Sequence, residues 1–224
     1  MFGTIKQIEG AKMDTLYTNE KCMDNFNDSA TFFQLRIGMW IDGEFSWIEM
    51  SEKEHHIQNC VQYKSFAFQD EHKSCLIDGH RISLENLNNR SKEIKLYVQY
   101  EQTKPLAKLA YYRPKDHLLS YHIEEGLVFI NGKIDEKGIK QYTVTSADQI
   151  NEERHLWGNI RKGALKYQPL ASRNIVSAFT LESFLLPYEH TFADIWNIKA
   201  INEENGVNAN RKLIKNRLEF SFER

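Results

Sequence analysis

Alternation of apolar and polar residues, broken by tight-turn dipeptides, is the feature of this sequence that most constrains its fold. Residues 36–41 are followed by Asp42-Gly43 and then by residues 44–48. Asp-Gly readily adopts the positive φ angles that a two-residue turn needs, so this stretch predicts a β-hairpin. The dipeptides Asp78-Gly79 and Asn131-Gly132 predict two further turns of the same kind.

Strands are predicted along most of the chain. Residues 93–100 alternate cleanly, with apolar side chains at the even positions and mainly polar ones at the odd positions. The other predicted strands lie at residues 60–68, 73–77, 80–84, 106–112, 118–122, 127–130, 139–145, 173–186 and 192–200. Only residues 202–216 predict a substantial helix. The pattern therefore indicates an all-β fold of two large antiparallel sheets, with residues 1–224 forming one domain.

The composition limits the kinds of molecule that the protein is expected to bind. Hydrophobic residues make up 41% of the chain, and the net charge is −2. This composition supports a buried core but provides no broad basic field, so we expect neither nucleic acid nor membrane as a partner. The start lacks the pattern of a secretory signal, and no apolar run reaches the length of a membrane span. The irregularly spaced Cys22, Cys60 and Cys75 predict reduced thiols in a cytoplasmic protein.

The predicted hairpin also carries a family resemblance. Residues 36–48 read RIGMWIDGEFSWI and resemble the GxWxDGxFSWL stretch of bacterial-type glucoamylases of glycoside hydrolase family 15. Later segments resemble the same family in the same order, at residues 82–97, 110–122, 155–165 and 175–196. The resemblance implies the family's N-terminal β-supersandwich, which is related to galactose-mutarotase-like domains. In the family this domain packs against a helical (α/α)6 barrel that carries the catalytic glutamates.

Two departures from the family shape the functional expectation. The sequence has no counterpart of the barrel, and the family's acidic run near Trp157 is replaced by residues 159–163, which read NIRKG. We therefore expect no catalytic residue and no cofactor. The expected function is that of an accessory or interaction protein, which binds a glycan or a protein partner. A homodimer through the surface that faces the barrel in the family is the other expected assembly.

Aromatic side chains are the strongest candidates for sugar contacts, because a flat ring covers the apolar face of a pyranose while polar neighbours bind its hydroxyls. Core packing is the default for the tryptophans. Trp157 is the expected exposed exception, because a glycine and the basic loop follow it. Adjacent tyrosines on a strand point to opposite faces, so one of the pair at 111–112 is expected at the surface. The predicted ligand-binding residues are Trp157, Arg161, Lys162, Tyr111 and Tyr112.

Patterns for catalysis and metal binding are weak. The adjacent pairs Glu124-Glu125 and Glu152-Glu153 would point to opposite sides of a strand, and could not face each other across a sugar. The histidines and cysteines at 55–60 and 72–75 lack the paired spacing of zinc sites, so no metal is predicted.

Two alternatives stay open at this point. The first is a small mutarotase-like enzyme, for which the nearest suspects are His80, His117, His122 and Glu124. The second is a subunit that completes a separately encoded glycoside hydrolase barrel.

Overall fold

A computed structural model describes residues 33–51, 53–58, 60–72, 75–104, 107–149 and 156–215. The strands of this part are β1 (Phe33–Ile41), β2 (Glu44–Ile48), β3 (His55–Ile57), β4 (Val61–His72), β5 (Cys75–Asn86), β6 (Lys92–Gln102), β7 (Leu109–Arg113), β8 (Leu118–Ile123), β9 (Gly126–Ile134), β10 (Gln141–Ser146), β11 (Trp157–Asn159), β12 (Ala164–Leu165), β13 (Leu170–Ala171), β14 (Ile175–Leu185) and β15 (His190–Ala200). The helix α1 spans Glu203–Lys215, and 3₁₀ turns occupy Ala147–Gln149 and Ile160–Lys162.

Two large antiparallel sheets form the body of the protein, which confirms the predicted all-β class. The five-stranded sheet has the order β10-β14-β6-β1-β2, and the eight-stranded sheet has the order β13-β7-β8-β9-β15-β5-β4-β3. Their facing surfaces, called the inner faces below, enclose the main core, which includes Met39, Ile82, Leu96 and Phe179. None of the described helices is long and apolar enough to cross a membrane.

The first hairpin forms as predicted. Ile41 pairs with Glu44, and the two turn residues Asp42 and Gly43 have φ angles of 49° and 105°. The hairpin places the odd-numbered residues of β1 in the core and the even-numbered Trp40 on the outer face. This outer position matters for the candidate site described below.

The two other predicted turns are wrong. Asp78-Gly79 lies inside β5, and Asn131-Gly132 lies inside β9. A Cβ atom at Gly79 would lie 2.2 Å from the Phe68 ring and 2.5 Å from the carbonyl oxygen of Ile195. At Gly132 it would lie 2.8 Å from the carbonyl oxygen of Asp194. Both glycines therefore permit close approach within the eight-stranded sheet rather than a reversal of the chain.

The helix α1 covers part of the outer face of the eight-stranded sheet. It begins after Asn202, whose side-chain oxygen accepts a hydrogen bond of 2.9 Å from the backbone N–H of Asn205. Its buried face packs on Trp196, and the Trp196 indole donates a 3.0 Å hydrogen bond to Asn210. The predicted helix at 202–216 is thus present over Glu203–Lys215, while residue 216 lies outside the described residues.

A buried lysine gives the fold a testable pH dependence. Lys199 lies on β15 and is only 7% exposed, and burial lowers its pKa to about 8. Because an unfolded lysine titrates near 10.4, the unfolded chain holds this proton at pH values where the folded protein has released it. The contribution of Lys199 to stability should therefore rise by ~2–3 kcal/mol between about pH 8 and 10.5, and this gain is lost as the pH falls back through 8.

Urea unfolding at intervals between pH 7 and 10.5 measures this effect. The Lys199→Met variant should show a smaller rise than the unchanged protein. Taking the difference between the two proteins removes the contribution of buried tyrosines such as Tyr100 and Tyr121, whose pKa values burial raises. Parallel stability profiles for the two proteins would show that Lys199 does not titrate in this window.

Candidate functional site

The predicted basic loop is a tight 3₁₀ turn on the outer face of the five-stranded sheet. Asn159 caps it by accepting a 3.2 Å hydrogen bond from the backbone N–H of Lys162. Gly163 closes it with a φ of 57°, and its N–H donates to the carbonyl oxygen of Ile160 at 3.0 Å. This left-handed conformation favours glycine, and a Cβ at residue 163 would also lie 3.0 Å from the Trp40 ring.

Two side chains from neighbouring strands hold the main chain of this turn. Trp40 and Lys95 are paired across β1 and β6. The Trp40 indole donates a 3.0 Å hydrogen bond to the carbonyl oxygen of Ile160, and Lys95 donates a 2.9 Å bond to that of Lys162. The Lys95 ammonium also lies 4.7 Å from the centre of the Trp40 ring. The turn is therefore fixed from below, while the side chains of Arg161 and Lys162 are exposed.

A cleft of about 460 Å³ lies between this turn and the first hairpin. Its volume is within the roughly 300–1,000 Å³ range of small-molecule sites. Asp42 and Glu93 contribute carboxylates, and each lies beside a lysine: Lys92 is 2.7 Å from Asp42, and Lys95 is 3.6 Å from Glu93. The cleft, called the basic-turn cleft below, is lined by Trp40, Asp42, Gly43, Glu93, Arg161 and Lys162.

The expected exposure of Trp157 is wrong. Its side chain is only 8% exposed, because β11 lays it on the outer face of the five-stranded sheet. The ring stacks on Tyr97 at 4.7 Å and meets the edge of Phe45 at 5.1 Å. Trp157 therefore anchors the segment that carries the basic turn, and its role in ligand binding stays a prediction.

Tyr111 and Tyr112 face opposite sides of β7, as the sequence predicts. Each is half-buried. Tyr111 stacks on His122 at 5.6 Å, whereas Tyr112 stacks on Tyr142 at 3.6 Å. Neither tyrosine lines the basic-turn cleft, so the structure brings only Arg161 and Lys162 of the predicted set together there. Ligand binding by the two tyrosines remains untested.

The sequence reasoning missed one exposed aromatic ring near the cleft. Phe184 is 60% exposed and lies directly opposite Glu93 in the pairing of β14 with β6. Its position on the strand could have revealed this, because Phe184 shares the face of Glu182 rather than that of the core residue Leu185. Trp40 could have been found in the same way, from its parity with Arg36 rather than Ile37.

The residues suspected for a mutarotase-like enzyme occupy separate places. His80 lies on β5 and His122 on β8, with β9 and β15 between them. Three strand spacings of about 4.8 Å separate these two positions by roughly 14 Å across the sheet, and the strand register offsets them further along the strands. His117 lies in the turn after β7, where its ring is within 3.2 Å of the Tyr112 hydroxyl. Glu124 is exposed and lies 3.2 Å from Lys108. Glu152-Glu153 falls outside the described residues.

The described part of the chain contains neither an exposed reactive cysteine nor a cluster of metal ligands. Cys60 and Cys75 are buried free thiols, and burial raises the pKa of Cys75 to about 11, which keeps it protonated. Among the described side chains, no group of three or more histidines, cysteines or carboxylates could hold a metal ion. Cys22 lies outside the described residues.

Comparisons with known proteins define the fold. No protein-family model and no curated protein matches the sequence. The structure is similar to that of a bacterial glucoamylase complexed with acarbose, with a TM-score of 0.54 and 12% identity over 81% of this chain and 29% of that chain. A family GH92 α-mannosidase from Bacteroides thetaiotaomicron, in complex with mannoimidazole, aligns with a TM-score of 0.32 and 8% identity over 82% of this chain and 28% of that chain.

The glucoamylase likeness confirms the resemblance of fold that the first hairpin predicts. The chain has the all-β fold of one part of that enzyme, and it spans less than a third of the enzyme's length. The fold and the basic-turn cleft together define a β-sandwich domain with a polar surface cleft.

Proposed function

We propose that this protein is a non-catalytic accessory domain that binds an oligosaccharide at the basic-turn cleft. The observation that carries the proposal is the lining of that cleft, where the hydrogen-bond donors Arg161 and Lys162 and the carboxylates Asp42 and Glu93 meet beside a rigid turn. The fold shared with part of a glucoamylase complexed with acarbose adds support for a sugar as the ligand.

The cleft matches the chemistry of sugar hydroxyls, which both donate and accept hydrogen bonds. Arg161 and Lys162 can donate to a hydroxyl, while Asp42 and Glu93 can accept from one. The same carboxylates would repel a phosphate, which favours a glycan over a nucleotide. Trp40 is buried beneath the turn, so Phe184 is the ring that is available to cover the apolar face of a pyranose.

Titration calorimetry with maltooligosaccharides and acarbose tests this proposal. Replacing both Arg161 and Lys162 with alanine should weaken binding about tenfold or more, because each lost charge-assisted hydrogen bond is worth ~1.5–3 kcal/mol. Phe184→Ala should weaken it about fivefold through the lost ring contact.

Phe192→Ala is the matched control. Phe192 is 47% exposed on the outer face of the eight-stranded sheet, far from the cleft, so its removal should leave the affinity unchanged. Absence of binding at millimolar oligosaccharide, or equal affinity in the double variant, would overturn the proposal.

A further inference from the structure

Tyr167 is an exposed aromatic side chain on a rigid part of the surface. Its side chain is 77% exposed. It belongs to residues 156–171, called the strap below, which carries the basic turn and then continues from the five-stranded to the eight-stranded sheet.

Hydrogen bonds on both sides of Tyr167 hold the strap in place. Before it, the N–H of Lys166 donates to Leu156 at 2.9 Å. After it, Gln168 accepts a 2.6 Å bond from Val144 of β10, and Pro169 accepts a 2.9 Å bond from Tyr112 of β7. The strap is therefore tied to one strand of each sheet within two residues of Tyr167, and the exposure of the ring is built into the fold.

The Tyr167 ring forms a corner with a second aromatic ring. Tyr142 lies 5.7 Å away, with its plane tilted by 59°. Tyr142 is itself stacked on Tyr112 at 3.6 Å, and this contact holds the Tyr142 ring in position. Burial and a hydrogen bond between the hydroxyls of Tyr142 and Tyr167 raise the pKa of Tyr142 to about 12. An apolar ring face is thus presented beside phenol hydroxyls, which suits a sugar ring.

Adjacent residues of β10 contact both this aromatic pair and the basic turn. Gln141 donates a 3.1 Å hydrogen bond to the carbonyl oxygen of Gly163 at the end of the basic turn. The next residue of β10 is Tyr142, which contacts Tyr167. Tyr167 is five positions after Lys162 in the sequence, so even a fully extended chain keeps these two residues within ~18 Å of each other. An oligosaccharide of several units can span that distance.

We propose that Tyr167 forms a second subsite, which stacks on a sugar ring several units away from the ring bound at the basic-turn cleft. The protein then recognises an oligosaccharide chain that follows the strap round the β10 edge of the five-stranded sheet. This inference rests on the proposed function of the cleft.

Affinity as a function of ligand length tests the second subsite. Titrations with maltose, maltotriose, maltopentaose and maltoheptaose should show affinity rising with length. Tyr167→Ala should weaken maltoheptaose about fivefold and leave maltose unchanged, whereas Tyr167→Phe, which keeps the ring, should stay within twofold of the unchanged protein. The double variant at Arg161 and Lys162 should weaken every length, and Phe192→Ala should weaken none.

Protection from chemical nitration provides a second measurement that needs no substitution. Tyr188 is also exposed but lies in the turn before β15, so it is the internal control. Saturating maltoheptaose should protect Tyr167 and not Tyr188, and saturating maltose should protect neither.

The two proposals fail in different ways. If Tyr167→Ala leaves the affinity of every oligosaccharide unchanged and maltoheptaose gives no protection, while the Arg161 and Lys162 double variant still weakens binding, the second subsite is wrong and the cleft stands. If the unchanged protein binds no oligosaccharide, the proposed function itself is overturned.

Discussion

Replacing Gly79 with alanine should destabilise the protein by about 3 kcal/mol or prevent it from folding, at the upper end of the usual range for overpacking. The new Cβ would lie 2.2 Å from the Phe68 ring and 2.5 Å from the carbonyl oxygen of Ile195. The ring can rotate away, but the carbonyl belongs to β15, which pairs with β5 along its whole length. Relief therefore requires the two strands to separate locally. Urea unfolding followed by circular dichroism measures the loss.

Gly138→Ala is the matched control for this experiment. A Cβ at Gly138 would meet only the carbonyl oxygen of Gly132 at 3.9 Å, an ordinary contact. We expect a change within about 1 kcal/mol, with a small gain if alanine mainly restricts the unfolded chain. A loss below 1 kcal/mol for Gly79→Ala would mean that β5 and β15 are not packed as described.

Trp196→Ala should cost about 4 kcal/mol, the middle of the range for large aromatic side chains in cores. Trp196 is fully buried under α1, where it packs with Val207 and Leu213. Its loss leaves a cavity between helix and sheet. It also removes the 3.0 Å indole hydrogen bond to Asn210, although that side chain still accepts a bond from Asn131. Both effects weaken the attachment of the helix.

Limited proteolysis distinguishes detachment of the helix from a global loss of stability. The Trp196→Ala variant should be cleaved within α1 before any strand of the body is cut, since local opening precedes unfolding where packing is lost. Ile214→Ala, at an exposed position on the same helix, should change stability by under about 1 kcal/mol and leave cleavage unchanged. Similar losses for both variants would refute the assigned role of Trp196.

Strand positions were predictable where a signal lies within a few residues. The first hairpin follows from its Asp-Gly turn and the parity of its flanks, and both are local. The same dipeptide signal fails at Asp78-Gly79 because the requirement for glycine there comes from Phe68 and Ile195, which are distant in the sequence. A turn glycine and a close-approach glycine look identical until the neighbouring strands are known.

At the candidate site, too, local features were predictable and features set by distant residues were not. Exposure of Arg161 and Lys162 was predictable from the local run of polar residues. Burial of Trp157 was not, because the rings that cover it, Tyr97 and Phe45, come from β6 and β2. The exposed rings of Phe184 and Tyr167 were also missed, since periodicity tells which face a residue lies on but not whether another element covers that face.

The order of strands within the sheets also has a consequence for how the protein is made. The β14 strand lies between β10 and β6, and β15 lies between β9 and β5, so the last two of the described strands to be synthesised lie inside their sheets. The five-stranded sheet cannot close before β14 is made, and the eight-stranded sheet cannot close before β15 is made, so until then the strand edges that these two strands cover remain open to unwanted pairing. Synthesis of this protein therefore includes a period of exposure to aggregation, and a chaperone that shields bare strand edges would be most valuable during that interval.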